Sequence, residues 1–158
     1  DFAAKEPGTD GCDTVRFLMS ANAGEALRPI SKIASGGEMS RIMLAFKKIV
    51  GDYDEIPTMI FDEIDTGISG ITASIVGKKL KQIAENHQIL CITHLPQIAA
   101  FGDHNYKIYK ESDDTNTYTT VIPLKKEEEV EEIARLLGGI NITETTLQSA
   151  RELIEASK

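Results

Sequence analysis

Thr58-Met59-Ile60-Phe61-Asp62-Glu63-Ile64-Asp65-Thr66-Gly67-Ile68-Ser69-Gly70 is the stretch that decides the fold. Its first four residues are an apolar run without polar alternation. That pattern predicts a strand covered on both faces, as in a parallel sheet. Asp62 and Glu63 then put two adjacent carboxylates at the strand's end. Asp65 to Gly70, with two glycines and a serine, reads as a flexible strand-to-helix loop, with Ser69 suited to cap the helix. The helix runs from about Gly70 to Glu85, with Thr72, Val76, Leu80 and Ile83 along one side and Asn86 to cap its end. A second apolar run, Ile89-Leu90-Cys91-Ile92, begins 31 residues after the first, about the length of a βαβ crossover. The two strands are therefore expected to be parallel neighbours or near neighbours. Their carboxyl ends then share one edge, where open α/β sheets bind ligands.

The chemistry expected at that edge is phosphoryl transfer. A hard cation takes oxygen ligands, which suits Asp62 to Mg²⁺, directly or through water. Glu63 can orient or deprotonate an attacking water. Taken alone, an acidic turn after a strand is the plainer reading of the pair. His94, in Thr93-His94-Leu95-Pro96, ends the second strand on the same edge, where an imidazole can meet a terminal phosphate. His87 and His104 have no such position and read as structural. Upstream, Ser35-Gly36-Gly37-Glu38 opens an amphipathic helix whose face is Met39, Ile42, Met43, Phe46 and Ile49, with Gly51 as its stop. A helix start offers free N–H groups and partial positive charge, and two glycines let a bulky anion approach the backbone. Ordinary N-capping by Ser35, with Glu38 completing a capping box, is compatible with that role. The segment lacks the Gly-Lys-Ser/Thr ending of a P-loop, so it is not a Walker A motif.

The remainder is read more coarsely. The segment through Asp13 reads as loop, Val15, Phe17 and Met19 as a strand, and Ser20 to Glu25 as a turn. Tyr106 and Ile108, then Tyr118, Thr120 and Ile122, are spaced by two around the polar stretch Glu111 to Asn116 and predict an antiparallel hairpin. Two helices follow. One carries Val130, Ile133, Ala134 and Leu137 and stops at Gly138-Gly139; the other carries Leu147, Ala150 and Ile154. The 158 residues suit one domain, and 41% hydrophobic with 27% charged residues is a globular composition. No apolar run approaches the length of a membrane helix. Asp1-Phe2-Ala3-Ala4-Lys5 lacks the pattern of a signal peptide and reads as the middle of a longer chain. Cys12 and Cys91 form no disulfide framework or metal-ligand spacing, so a reducing, cytoplasmic setting is expected. The net charge of -8 argues against a domain that grips DNA by its whole surface. Lys78, Lys79 and Lys81 read as a solvated helix face.

These motifs together resemble the C-terminal half of an ABC-type ATPase head. Lys32-Ile33-Ala34-Ser35-Gly36-Gly37-Glu38-Met39-Ser40-Arg41 is similar to the ABC signature. Thr58 to Glu63 is similar to a Walker B strand with its catalytic glutamate. Asp65 to Gly70 stands at the D-loop position and His94 at that of the switch histidine. Glu38, where transporters commonly carry glutamine, and Asp62-Glu63-Ile64-Asp65 point to the chromosome-maintenance (SMC-like) branch. Within it the resemblance is to the RecN family of bacterial DNA-repair ATPases. It is carried by residues 34–41, 61–70 and 92–99 and by Ala134-Arg135-Leu136-Leu137-Gly138-Gly139 with Thr143-Glu144-Thr145-Thr146. Ala34 and Ser69 depart from the general SMC pattern and match this family.

The resemblance implies a mainly parallel α/β sheet flanked by helices, with a C-terminal β-hairpin and two helices, forming one lobe over residues 1–158. It implies that the Walker A half comes from elsewhere in the same protein and that two heads sandwich ATP. In that arrangement Asp62 holds Mg²⁺, Glu63 activates water and His94 touches the γ-phosphate. Ser35, Gly36, Gly37 and Glu38 reach the nucleotide of the opposite head, and Asp65, Gly67 and Ser69 form the D-loop. DNA is met through the full-length protein, in the nucleoid. By itself the chain is expected to be inactive. Two other classes compete. One is a transporter-type nucleotide-binding half, which an upstream permease rather than a coiled coil would reveal. The other is a non-catalytic interaction module, which would tolerate loss of Glu63 and His94.

Overall fold

The two apolar runs form the central parallel pair. β5 spans Thr58–Phe61 and β6 spans Gln88–Cys91, in register from Thr58 opposite Gln88 to Phe61 opposite Cys91. The Ile92 N–H donates to Phe61 O at 3.0 Å and carries the ladder one step further. The crossover is α2, Gly70–Ile83, which lays Val76, Leu80 and Ile83 onto the sheet with Met59, Phe61, Leu44, Ile64 and Ile98. Ala73 occupies the place expected of Thr72: Ala73 is buried and Thr72 is exposed. The described chain covers residues 1–20, 24–32, 35–50, 55–113 and 115–158 of a computed structural model. The expected turn at 21–23, signature residues 33 and 34, the Gly51 stop and residue 114 lie outside it.

Three expectations of the sheet need correction. Among the described residues β5 and β6 make the one parallel pair, and the other three pairs are antiparallel, so the sheet is not mainly parallel. Nor are both faces of β5 and β6 covered. Met59 and Phe61 pack inward while Ile60 is 68% exposed, and Leu90 and Ile92 share that openness. The segment through Asp13 is no loop. β1 (Phe2–Gly8) and β2 (Gly11–Val15) form a hairpin. Gly8 pairs with Gly11 across the turn Thr9-Asp10, and Gly11 starts β2 at φ +94°, a conformation that glycine enters freely. β3 (Leu18–Met19) and β4 (Arg28–Pro29) make a short second pair.

α1 spans Gly36–Val50. Its contribution to the core is Leu44, whereas Met43, Phe46 and Ile49 of the expected face are exposed. Phe46 meets Phe17 edge-on at 5.8 Å. Both sides of this helix carry apolar residues, so periodicity alone does not choose between them. After the short α3, Pro96–Ala99, the predicted hairpin appears as β7 (Tyr106–Ser112) and β8 (Thr117–Pro123). On β7 Tyr106 and Ile108 face solvent, and Lys107 turns in to pair with Glu132 at 2.9 Å. α4 (Lys126–Gly138) and α5 (Glu144–Ala156) close the chain. They pack Ile133, Ala134, Ala150 and Ile154 against Ala100 in a second core. Gly139 ends α4 at φ +78°, a conformation open to glycine.

Candidate functional site

The carboxyl ends of β5 and β6 form one edge, and the turn Asp62 to Gly70 folds over it. The turn is internally closed by Thr66 N–H to Glu63 O at 3.0 Å and Ile68 N–H to Asp65 O at 3.3 Å. Ile64 anchors it and is fully buried. Two residues of α1 tie it down from outside. The Ser40 hydroxyl donates to Asp62 O at 2.8 Å. Arg41 Nη1 donates to Ile64 O at 3.0 Å and Thr66 O at 2.8 Å. These carbonyls lie at the end of a strand, beyond its ladder, and need donors from elsewhere. Sequence reasoning gave Ser40 and Arg41 no part of their own. A serine and an arginine one turn into a helix look like surface residues unless the partner turn is known.

Glu63 adopts φ +56°, the left-handed region that a side chain enters at a cost of about 1–2 kcal/mol. The conformation is fixed because the Glu63 carbonyl accepts from Thr66 while Ile64 is drawn inward. Asp62 takes the Glu63 N–H on Oδ1 at 2.9 Å, and both side chains are exposed. The start of α1 lies directly against this corner. A Cβ on Gly36 would collide with the Glu63 carboxylate, and one on Gly37 would sit 2.8 Å from Glu63 O and 2.9 Å from Thr66 O. Gly37 is thus demanded by the backbone of the turn itself, in addition to any anion, whereas at Gly36 the Glu63 side chain could move aside. A carboxylate at a helix N-terminus is also favourably placed toward the helix dipole. Ser35 acts as the N-cap, its Oγ accepting from Glu38 N–H at 3.3 Å. Ser69 caps α2 by position only, with no side-chain bond.

The third part of the site joins the two strand tips. Asp65 is 4% exposed. Its Oδ2 accepts from Thr93 Oγ1 at 2.6 Å and from His94 N–H at 2.8 Å, and lies 2.9 Å from His94 Nδ1. Burial works against the charged carboxyl, yet these hydrogen bonds and the nearby imidazole hold Asp65 below the usual aspartate range. His94 itself is 73% exposed. Asp65, expected in the D-loop, is buried with its carboxylate engaged by Thr93 and His94. Cys91, beneath the site, has its thiol pushed up to about 12 by burial and by the charges of Asp65 and Asp62, consistent with a core role. His87 bonds Ile56 O through Nδ1 at 2.9 Å, and Lys81 pairs with Asp103; both fit the structural reading.

No group of three His, Cys, Asp or Glu side chains able to hold a metal is present among the described residues. Mg²⁺ at a phosphate site needs fewer protein ligands, since one or two carboxylates, substrate oxygens and water share the ion. Asp62 offers such a carboxylate. Among the described residues no helix is long and apolar enough to cross a membrane. A cleft of about 370 Å³ between α2, β6 and Phe101 to Tyr106 includes neither Asp62 nor Glu63.

No protein-family profile matches the chain. A solved chain from a study of ATP-driven dimerization and DNA-stimulated activation of SMC ATPases superposes with a TM-score of 0.50. It is 23% identical and covers 75% of this chain and 71% of its own. The likeness shows that the two chains share a fold. Curated relatives narrow this further. DNA repair protein RecN of Vibrio cholerae is 48% identical over 147 residues, 93% of this chain. Those of Haemophilus influenzae and Bacillus subtilis are 49% and 47% identical over 92% of it. Over this stretch the chain belongs to the RecN family. It spans about a quarter of the length of these relatives, 26%, 26% and 25% respectively.

Proposed function

We propose that residues 1–158 are a single domain, the C-terminal lobe of an ATP-hydrolysing head in an SMC-like protein of DNA double-strand-break repair and recombination. The observation that carries this reading is the common edge. The Asp62-Glu63 corner and His94 stand at the tips of paired parallel strands, bridged by the buried Asp65. Phosphoryl transfer asks a protein mainly for positioning and charge neutralisation, and an edge with an acid pair and an imidazole answers that need.

In this reading Asp62 holds Mg²⁺, which when bound neutralises phosphate charge. Glu63 orients and deprotonates the attacking water. His94 contacts the γ-phosphate. The Walker A loop comes from another part of the same protein, and a second head completes the sandwich. Ser35, Gly36, Gly37 and Glu38 of one head reach the γ-phosphate held by the other, and Gly67 and Ser69 face that neighbour. DNA is engaged by the full-length protein in the cytoplasm, at the nucleoid.

The test is Glu63→Gln in the intact protein. Loss of a general base costs about 10²–10⁴-fold, so hydrolysis should fall by that order while ATP binding survives and ATP-bound head dimers accumulate. The 158-residue chain alone, lacking a phosphate cradle, should show no turnover. Unchanged hydrolysis in the variant, or turnover by the purified chain, defeats the reading.

A further inference from the structure

We infer that Asp65 is the positioning residue of His94: its buried carboxylate stands against Nδ1, draws the ring proton to that nitrogen and so leaves Nε2 for the phosphate. The inference rests on the proposed role of His94 and deepens it. An aspartate removed from water is costly unless its charge is answered by donors. Here two hydrogen bonds converge on a single oxygen, Oδ2, from the Thr93 hydroxyl and the His94 backbone N–H, and the His94 ring stands against the same oxygen with Nδ1 2.9 Å away. The backbone N–H of His94 and the Thr93 hydroxyl fix where the residue sits. The Nδ1 contact fixes how its ring is turned. In a neutral imidazole one nitrogen donates and the other accepts, and the bond made by one sets the state of the other. With a buried carboxylate 2.9 Å from Nδ1 favouring the proton there, Nε2 is the nitrogen left for a ligand. On protonation both nitrogens donate, and the buried carboxylate faces the charge that forms.

The carboxylate cannot turn away from this task. Its flanking carbonyls, Ile64 O and Thr66 O, are both held by Arg41. Ile64 beside it is fully buried. Thr93 is oriented in turn, since its Oγ1 accepts from Leu95 N–H at 3.1 Å while donating to Asp65. The loop that follows one strand therefore determines the ring geometry at the tip of the next. This gives Asp65 a role within its own head, distinct from the contacts Gly67 and Ser69 are proposed to make with a neighbour.

The experiment is ¹⁵N-histidine NMR of the intact protein at a pH where the ring is neutral, alongside steady-state ATP hydrolysis. Wild type should carry its His94 proton on Nδ1. Asp65→Asn and Asp65→Ala should weaken or abolish that preference. They should lower kcat by about 10- to 100-fold, the usual effect of losing a partner that orients a functional histidine, with KM nearly unchanged. Thr93→Val removes another donor to the same oxygen and leaves the Nδ1 contact, so it should spare the tautomer and most of kcat. A wild-type ring protonated on Nε2 overturns the inference without any variant. So does an Asp65→Asn protein that keeps full turnover while His94→Ala loses it. If His94→Ala hydrolyses ATP normally, the proposed catalytic role of His94 fails, while the tautomer measurement still decides whether Asp65 orients it.

Discussion

The turn after β5 and the helical pair at the end of the chain are held by different forces. The turn is fixed by polar bonds between residues far apart in sequence. Ser40 reaches Asp62 across 22 residues, Arg41 reaches Thr66 across 25 and Thr93 reaches Asp65 across 28. α4 and α5 are fixed by apolar packing around Ile133 and Ile154 and by local bonds, such as Thr143 with Thr146 and Glu132 with Arg135. Directional bonds specify where an atom sits, whereas apolar contact supplies free energy with little direction. The difference teaches where to look for function and where to look for stability.

The largest effect expected from breaking this division is on the helical side. Ile133 is fully buried, and truncating such a side chain to alanine costs about 2–5 kcal/mol. Ile133→Ala should shift the denaturant midpoint of the chain strongly, while hydrolysis per folded molecule of the intact protein stays near wild type. A loss of specific activity as severe as the loss of stability would show that the two regions are not separable.

Arg41→Ala probes the other side with a smaller energetic change. It removes two bonds from a cation to carbonyls; such bonds contribute about 1.5–3 kcal/mol each when sheltered, and the partial exposure of this pair brings their sum down to about 2 kcal/mol. Its effect on turnover should exceed its effect on stability, because it frees the turn that carries Glu63 and Asp65. An Arg41→Ala protein with unchanged hydrolysis would mean that the turn keeps its shape without the clamp.

The same contrast explains what was legible in the sequence. The parallel pair and α2 were readable because a continuous apolar run has few ways to be buried, and a crossover has a characteristic length. Ile133, Ala134, Ala150 and Ile154 were readable because helical period marks them directly. The clamp by Ser40 and Arg41 was not, since one polar residue meeting another's carbonyl leaves no periodic trace. Asp65 read as part of a flexible loop for the same reason: nothing in Asp65-Thr66-Gly67 says that the first of them is buried. The facing of β7, which spacing alone does not assign, has a related cause. Tyr106 and Ile108 are the apolar choice, but Lys107 turns inward because Glu132 answers its charge. Desolvation opposes ionisation of Glu132, and the hydrogen bonds and charges of Arg135 and Lys107 outweigh it, leaving its carboxyl below the usual range. The hairpin β1–β2 turns at Thr9-Asp10, but its strands lack the apolar alternation that marks a half-buried sheet.

The smallest expected effect sharpens the comparison at its local extreme. Thr143 caps α5 by accepting from Thr146 N–H at 3.2 Å, while Thr146 Oγ1 accepts from Thr143 N–H at 2.8 Å. The two residues thus satisfy helix-end donors reciprocally. Thr143→Ala removes one side of this exchange and should cost about 1 kcal/mol, read as a modest fall in the denaturant midpoint. Thr143→Ser keeps the oxygen and should recover most of it. Because the cap lies outside the network joining Arg41, Asp65 and His94, neither substitution should alter hydrolysis by the intact protein. A change in turnover from Thr143→Ala that serine reverses would mean that the end of the chain communicates with the strand tips, and the division between a positioned edge and a packed support would have to be withdrawn.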